Sequence, residues 1–446
     1  VKIFSIEGNP MKKLHQIVVV GGGAGGLELA TALGQRLGRK GRARIVLVDA
    51  SLTHIWKPLL HEVAAGTINS FEDELNYFAH GARHHFEFQL GRMDGLDRER
   101  KTLHLAPLTG EDGELLAEGR DLAYDTLVIA VGSTSNDFGT PGAHEHCIFL
   151  DSRAQADRFQ KKLLQMYLQA HALPASSGAA PELNIAIVGA GATGVELAAE
   201  LHHAAHEFAA YGLDEITPQH VNITLIEAAP RILTALPERA AKQAHRQLAK
   251  IGVTVLAGQK VTAVSAQGLR TASGLDIPAS LRVWAAGIKA QDFLKDIGGL
   301  ETNRINQLVV TPSLQTTRDD SVFAFGDCAS CTLPGMERPL APRAQVAHQQ
   351  AVFLVKAISA RLAHRPLPSF RFNDYGSLIS LSSADTVGSL MGNLLGSVNI
   401  RGLVARLLYR SLYRMHQMSL HGVSRMLVLF GKDLLSRSSG PRLKLH

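Results

Sequence analysis

A strand, a glycine-rich turn, a helix and a second strand ending in an acid occur twice in this chain. The first copy reads QIVVV at 16–20, GGGAGG at 21–26, LELATALGQRLG, and RIVLVD ending at Asp49. The second reads NIAIV at 184–188, GAGATG at 189–194, VELAAELHHAAHEFAAY, and VNITLIE ending at Glu227. The two copies start about 170 residues apart. An internal repeat of this kind reports architecture. Apolar runs flanked by glycine turns and helices read as buried strands, so the repeat predicts α/β structure with two Rossmann-like domains and parallel sheets.

Each position of the glycine pattern has a physical task. In G-x-G-x-x-G the first glycine makes the tight turn, the second lets a pyrophosphate approach the backbone, and the third packs helix against strand. Gly21, Gly23 and Gly26 fill these places in the first copy, and Gly189, Gly191 and Gly194 in the second. The helix that follows offers free N–H groups and a positive dipole end to the phosphates. Asp49 and Glu227 stand where a carboxylate accepts ribose hydroxyls. At Glu227 an acid repels a 2′-phosphate and favours NADH over NADPH, with Arg231 four residues on as a counterweight. Glu196 and Glu200 lie at i and i+4 on the second helix, with Glu196 expected in its first turn and Glu200 in solvent or between domains.

Two nucleotide sites in one chain place one cofactor against another, as hydride transfer between them requires; FAD with NADH is the natural pair. A length of 446 residues leaves room for two or three domains. With 46% hydrophobic and 19% charged residues the chain can bury a large core and is not disordered. Residues 1–10 read as an extension without period. The stretch ALPASSGAAP at 172–181 reads as a linker, and 152–173 and 344–363 as helices. Further apolar strands are expected in YDTLVIAVG at 124–132, VWAAG at 283–287 and VFAFGD at 322–327.

Seven segments in the same order, GGGAGGLELA, YDTLVIAVGS, GAGATGVELAAEL, VWAAGIKA, FAFGDCAS, PRAQVAHQQA and YGSLISLS, resemble the bacterial type II NADH dehydrogenases. These are single-subunit, non-pumping NADH:quinone oxidoreductases, and the likeness runs from about His15 to His446. It implies a two-dinucleotide-binding flavoprotein: an FAD domain at 11–150 and 286–385, an NADH domain at 151–285 and a C-terminal region at 386–446. FAD would be held non-covalently, NADH would be the substrate and a quinone the acceptor. The resemblance assigns Gly326 and Asp327 to the second flavin motif, and Lys57, Met93, Gly132, Gly287 and Ala344 to the cofactor surroundings. It places Gln345 and Gln349, of the pattern AQ-x-x-x-Q, at the quinone site, and gives Glu196 the positioning of nicotinamide and the management of a proton. Spacing alone puts both glutamines on one helix face beside the small Ala344 and Ala347.

Three cysteines cannot form a disulfide framework. HIWKPLLHEVAAG at 54–66 holds none, which excludes the redox pair of disulfide-reducing relatives. Cys328 and Cys331 make one C-x-x-C, open to an incidental role or to copper or redox chemistry. His80/His84 and His202/His206 have helical i, i+4 spacing without an accompanying acid motif, so no metal site is expected.

The net charge of +6 has one source. From 399 to 446, Arg401, Arg406, Arg410, Arg414, Arg425, Lys432, Arg437, Arg442 and Lys444 face only Asp433, a local +8 that leaves the rest of the chain slightly acidic. This argues against a nucleic-acid partner. Arginines every four residues beside Leu403, Leu407, Leu408 and Met415, followed by MLVLF at 426–430, predict an amphipathic helix lying on an anionic membrane. A dimer or core-capping helix is the competing reading of the tail. No apolar run suits a spanning helix or a signal peptide, so the expected location is the cytoplasmic face of the inner membrane, peripheral. A sulfide:quinone oxidoreductase, or a redox-sensing flavoprotein, is the alternative function.

Overall fold

A computed structural model describes residues 14–68, 74–110, 112–172, 182–381, 385–392, 396–436 and 443, with side chains except at 377–412, 429 and 432–436. The expected extension at 1–10 and most of the linker lie outside them. Both repeats form as the sequence predicts. In chain order β1 (His15–Val20), α1 (Ala24–Leu33) and β2 (Ala43–Asp49) make the first. A short helix α2 (Leu60–Ala65) and β3 (Thr126–Ile129) follow. Then come β4 (Leu183–Val188), α3 (Ala192–Ala210) and β5 (Val221–Glu227), the second repeat, and finally β6 (Asp319–Ala324), α4 (Ala344–Leu362) and α5 (Gly402–Ser436), which is kinked at Gly422.

The chain divides into two compact units. One takes the chain up to His54, Leu75–Gly132 and Ala290–Arg371; the other takes Ile55–Glu74, Ser133–Lys289 and the chain from Phe372 on. The sequence reading sets its limits at 150, 286 and 385 instead. The difference has a packing cause. Leu60, Val63, Ala64 and Ala65 of α2 are buried in the same core as Phe159, Val195 and Ala199, so this excursion leaves the first unit. Burying such a Leu or Val contributes about 1.5–3 kcal/mol, enough to decide which core a six-residue helix joins. Ile148–Phe149 likewise pairs with Leu281–Trp284 of the second unit.

In the first unit β1 lies between β2 and β3, parallel to both, with Ile17 opposite Ile45 and Thr126. The eight-stranded order is Ala329–Cys331, Leu308–Val310, Gln315–Thr316, β6, β3, β1, β2, Glu87–Leu90. This sheet is mixed, which corrects the expectation of two parallel sheets. Gln315–Thr316 runs antiparallel to both its neighbours. Its connections to them are tight turns, and a parallel return needs a crossover of a dozen residues or more. The second unit is as expected: Ile148–Phe149, Leu281–Trp284, β4, β5 and Thr254–Ala257 are all parallel. Strands β1 and β4 are buried through their C-terminal halves, which is why they read as continuous apolar runs.

Candidate functional site

The two glycine turns are built alike. Gly21 and Gly189 have φ of +102° and +100°, a conformation that favours glycine, and a Cβ on either would strike backbone at 2.4 Å and 2.6 Å. A Cβ on Gly26 or Gly194 would lie 1.9 Å from the carbonyl oxygen of Gly21 or Gly189. Those positions bring helix against turn. Gly23 and Gly191 differ: nothing lies within 4 Å of a Cβ there, so each faces open space. Both are helix N-caps in extended conformation without a side-chain cap, and the first turns of α1 and α3 carry no acid. The free N–H groups and positive dipole ends therefore meet no anion of the protein's own first turn.

The acids that end β2 and β5 are clamped to these turns. Asp49 accepts hydrogen bonds from the Gly22 N–H at 2.6 Å and the Ser51 N–H at 2.8 Å, and burial pushes its carboxyl up from the ordinary range. Glu227 accepts from the N–H groups of Ala190 and Ala229, each at 2.8 Å. Arg231 does not stand free as a phosphate partner. Its guanidinium donates to the carbonyls of Leu233, Thr234 and Leu236 at 2.9–3.1 Å and makes a longer contact with that of Ile232.

Glu196 requires a correction. It lies beyond the first turn of α3, and it is 7% exposed, so helix-end electrostatics do not explain it. Its Oε2 is 3.8 Å from Nδ1 of His61 on α2, a fully buried ring whose basicity burial lowers to a pKa of about 4. Glu200 is not solvated either: it is 8% exposed, with the Thr67 hydroxyl donating to it at 3.4 Å.

Lys57 donates to the Ser133 carbonyl at 2.8 Å and lies 3.6 Å from Asp151, within the second unit. Gly287, with φ +63°, also belongs there, its Cβ position filled by the ring of Phe138. In the first unit Met93 is buried at 2% exposure, and Gly132, φ +70°, has open space around it. Gly326, φ +72°, and Asp327 open a short helix directly after β6. Ala344 is the first residue of α4; Gln345 and Gln349 are half-buried one turn apart, and the Gln345 Oε1 is buried without a hydrogen-bond partner.

Three residues escaped the sequence reading. Gln350, 2% exposed, accepts the Gly326 N–H at 2.8 Å and so fixes the second motif to α4. Glu28, buried on α1, meets His348 of α4 at 2.6 Å, and this bond holds the imidazole above its usual pKa. An acid inside LELATAL was the available signal, since a buried carboxylate needs a partner. The cysteines Cys147, Cys328 and Cys331 are free and buried, and burial pushes their thiols up to about 12, 12 and 11. Cys328 donates to the carbonyl oxygens of Ile129 and Phe325. His80 bonds the Thr31 hydroxyl and stacks on His84, and His202 meets His206 edge to face.

Residues 15–351 match the family model of the pyridine nucleotide-disulphide oxidoreductases. The chain is 46% identical over 446 residues to a type II NADH:quinone oxidoreductase of Haemophilus influenzae, covering 97% of this chain and all of that one. The chain belongs to the type II NADH:quinone oxidoreductases. A member of that family from Staphylococcus aureus is 28% identical over 383 residues, 84% of this chain and 90% of the relative. In fold the chain is similar to the solved structure of NDH2 from Plasmodium falciparum in complex with NADH, with a TM-score of 0.79 at 17% identity, covering 97% and 100% of the two chains. Membership in the type II NADH:quinone oxidoreductases agrees with the resemblance carried by the seven motifs and not with the sulfide:quinone alternative.

Proposed function

We propose that the chain holds FAD non-covalently in its first unit, takes NADH in its second, and delivers two electrons to a membrane quinone without pumping protons, as an entry point to a respiratory chain. The observation that carries this reading is the pair of turns in which Gly23 and Gly191 leave open space beside free helix N-termini, each closed by a carboxylate bonded to the turn. That donor set fits a dinucleotide: backbone N–H groups for pyrophosphate and an acid for ribose hydroxyls. Bound flavin supplies the hydride acceptor and the two-electron donor.

The chain's own side chains position and exclude. Asp49 and Glu227 hold ribose, and with Arg231 engaged by four carbonyls, Glu227 sets a preference for NADH over NADPH. Gly326, Asp327 and Gln350 hold the second flavin motif. On α4 the Gln345 amide offers N–H donors to a quinone carbonyl, and its unpartnered Oε1 accepts from the hydroxyl of the reduced product. Glu196 orients nicotinamide and holds the proton that quinone reduction consumes. Under strictly anaerobic conditions NADH should bleach the flavin of the purified protein and a soluble quinone analogue should restore it; a flavin that stays oxidised with NADH overturns the reading.

The membrane is reached through 399–446, at the cytoplasmic face. Among the described residues no helix is long and apolar enough to cross a bilayer. Support comes from Val423, Leu427, Val428 and Phe430 on α5, which are exposed large apolar side chains, with Val428 at 71%. The side chains of Arg401, Arg406, Arg410 and Lys432, and residues Arg437, Arg442 and Lys444, lie outside the described set.

A further inference from the structure

The ring of His61 stands between two carboxylates. Its Nδ1 is 3.8 Å from Glu196 Oε2, and its Nε2 is 3.9 Å from Glu62 Oε1. The three groups differ in access. The side chain of Glu196 is 9% exposed and that of His61 4%, whereas Glu62 is 21% exposed. The line therefore runs from the part-solvated surface of α2 to the buried face of α3.

We propose that Glu62 and His61 form a proton path to Glu196, with His61 as the positioning residue that relays the proton. The inference rests on the proton-holding role proposed above for Glu196. The overall reaction, NADH + H⁺ + quinone → NAD⁺ + quinol, takes one proton from solution in each turnover. A carboxylate as buried as Glu196 cannot collect it directly. A neutral imidazole can pass one on, because it carries one N–H and one bare nitrogen. A proton leaves the Glu62 carboxyl and bonds to Nε2; the Nδ1–H bond breaks and that proton bonds to Glu196 Oε2. No electrons move, and the ring ends neutral in its other tautomer, from which a ring turn or the reverse hop resets it.

Burial supports the role by keeping the ring neutral at physiological pH, while a hydrogen bond to the Pro58 backbone holds the ring in place. Both separations exceed a hydrogen bond by more than half an ångström, and catalytic hydrogen bonds of this kind tighten when substrate is bound. Among the described residues the charged groups near the ring are few. On α3 they are Glu196 and Glu200, and on α2 Glu62. Lys57, one turn before, is engaged by the Ser133 carbonyl and Asp151. On Arg153–Ala172, Arg153 pairs with Glu74 and Asp157, and the buried face is Ala156, Phe159, Leu163 and Tyr167.

The test compares the FAD-loaded protein with its Glu196→Gln, His61→Gln, Glu62→Gln and Glu62→Asp variants. Quinone turnover is measured against pH, together with the infrared difference spectrum between oxidised and reduced protein, in which the Glu196 carboxyl band is identified by its loss in Glu196→Gln. His61→Gln should lower kcat for quinone on the order of a hundredfold, the range of a proton-transfer group. KM for NADH should keep its value, and the Glu196 band should no longer change on reduction. Glu62→Gln should lower kcat by a smaller factor and move the pH profile, and Glu62→Asp should restore both; this part-exposed position keeps the test open if His61→Gln does not fold. If Glu196→Gln slows turnover while the His61 and Glu62 variants keep the parent rate and band, the relay is wrong and the Glu196 role stands. If Glu196→Gln turns over at the parent rate, the Glu196 role falls and the relay with it.

Discussion

Glu28 and His348, 320 positions apart in sequence, meet at 2.6 Å and join the first glycine helix to the helix that carries Gln345 and Gln349. Because the folded pKa of His348 is raised, the pair stabilises the protein fully below the unfolded value near 6.5, and that contribution is lost as pH rises through the folded value. Glu28→Gln should cost about 1–3 kcal/mol at roughly pH 6 and less at pH 9, read by chemical denaturation. An equal loss at both pH values would show that the bond does not titrate.

The two kinds of fingerprint glycine separate binding from folding. Gly191→Ala adds a methyl to open space at the proposed pyrophosphate site, so KM for NADH should rise about tenfold or more with the melting temperature unchanged. Gly194→Ala places a Cβ 1.9 Å from a carbonyl oxygen and should lower the melting temperature as well. Parallel thermal melts and NADH titrations distinguish them.

Arg231 is engaged by the carbonyls of its own loop. Arg231→Ala should destabilise the second unit by about 1–3 kcal/mol while the ratio of NADH to NADPH kcat/KM stays as it was. Glu227→Ala is the substitution that should change that ratio toward NADPH.

Gln350→Ala removes the acceptor of the Gly326 N–H in a buried setting, a loss of about 1–3 kcal/mol. The purified variant should contain less flavin, and added FAD should restore it. Flavin content from the absorbance spectrum is the measurement.

Membrane attachment is better tested by substitution than by deleting 399–446. Leu443 is 2% exposed and belongs to the core of the second unit, so removing the tail also removes core. Leu427→Glu with Val428→Glu, both on exposed positions, should release the protein from anionic vesicles in a flotation assay without lowering its melting temperature.

What could be read from sequence was local. Each glycine turn and the acid that ends the next strand follow from residues within one repeat, and they form as expected. The pairings that complete the site are distant: Gln350 with Gly326 across 24 positions, and His348 with Glu28 across 320. No period or spacing marks them, because they arise only when helices pack. The same reason hid the allegiance of α2, whose apolar face is visible in LLHEVAA but whose partner core lies beyond residue 148. The placement of Glu196 failed on helix phase. The sequence reading put it in the first turn, whereas the helix begins at Ala192 and its first turn holds no acid.

The side chain of Leu443 lies close beside Gly66, 3.4 Å from where a Cβ would stand. During synthesis, therefore, α2 emerges early into a unit whose packing cannot be finished until residue 443 has left the ribosome. The first repeat can assemble β1, α1 and β2 while the chain is still growing, but the packing beside Gly66 waits until Leu443 has been made.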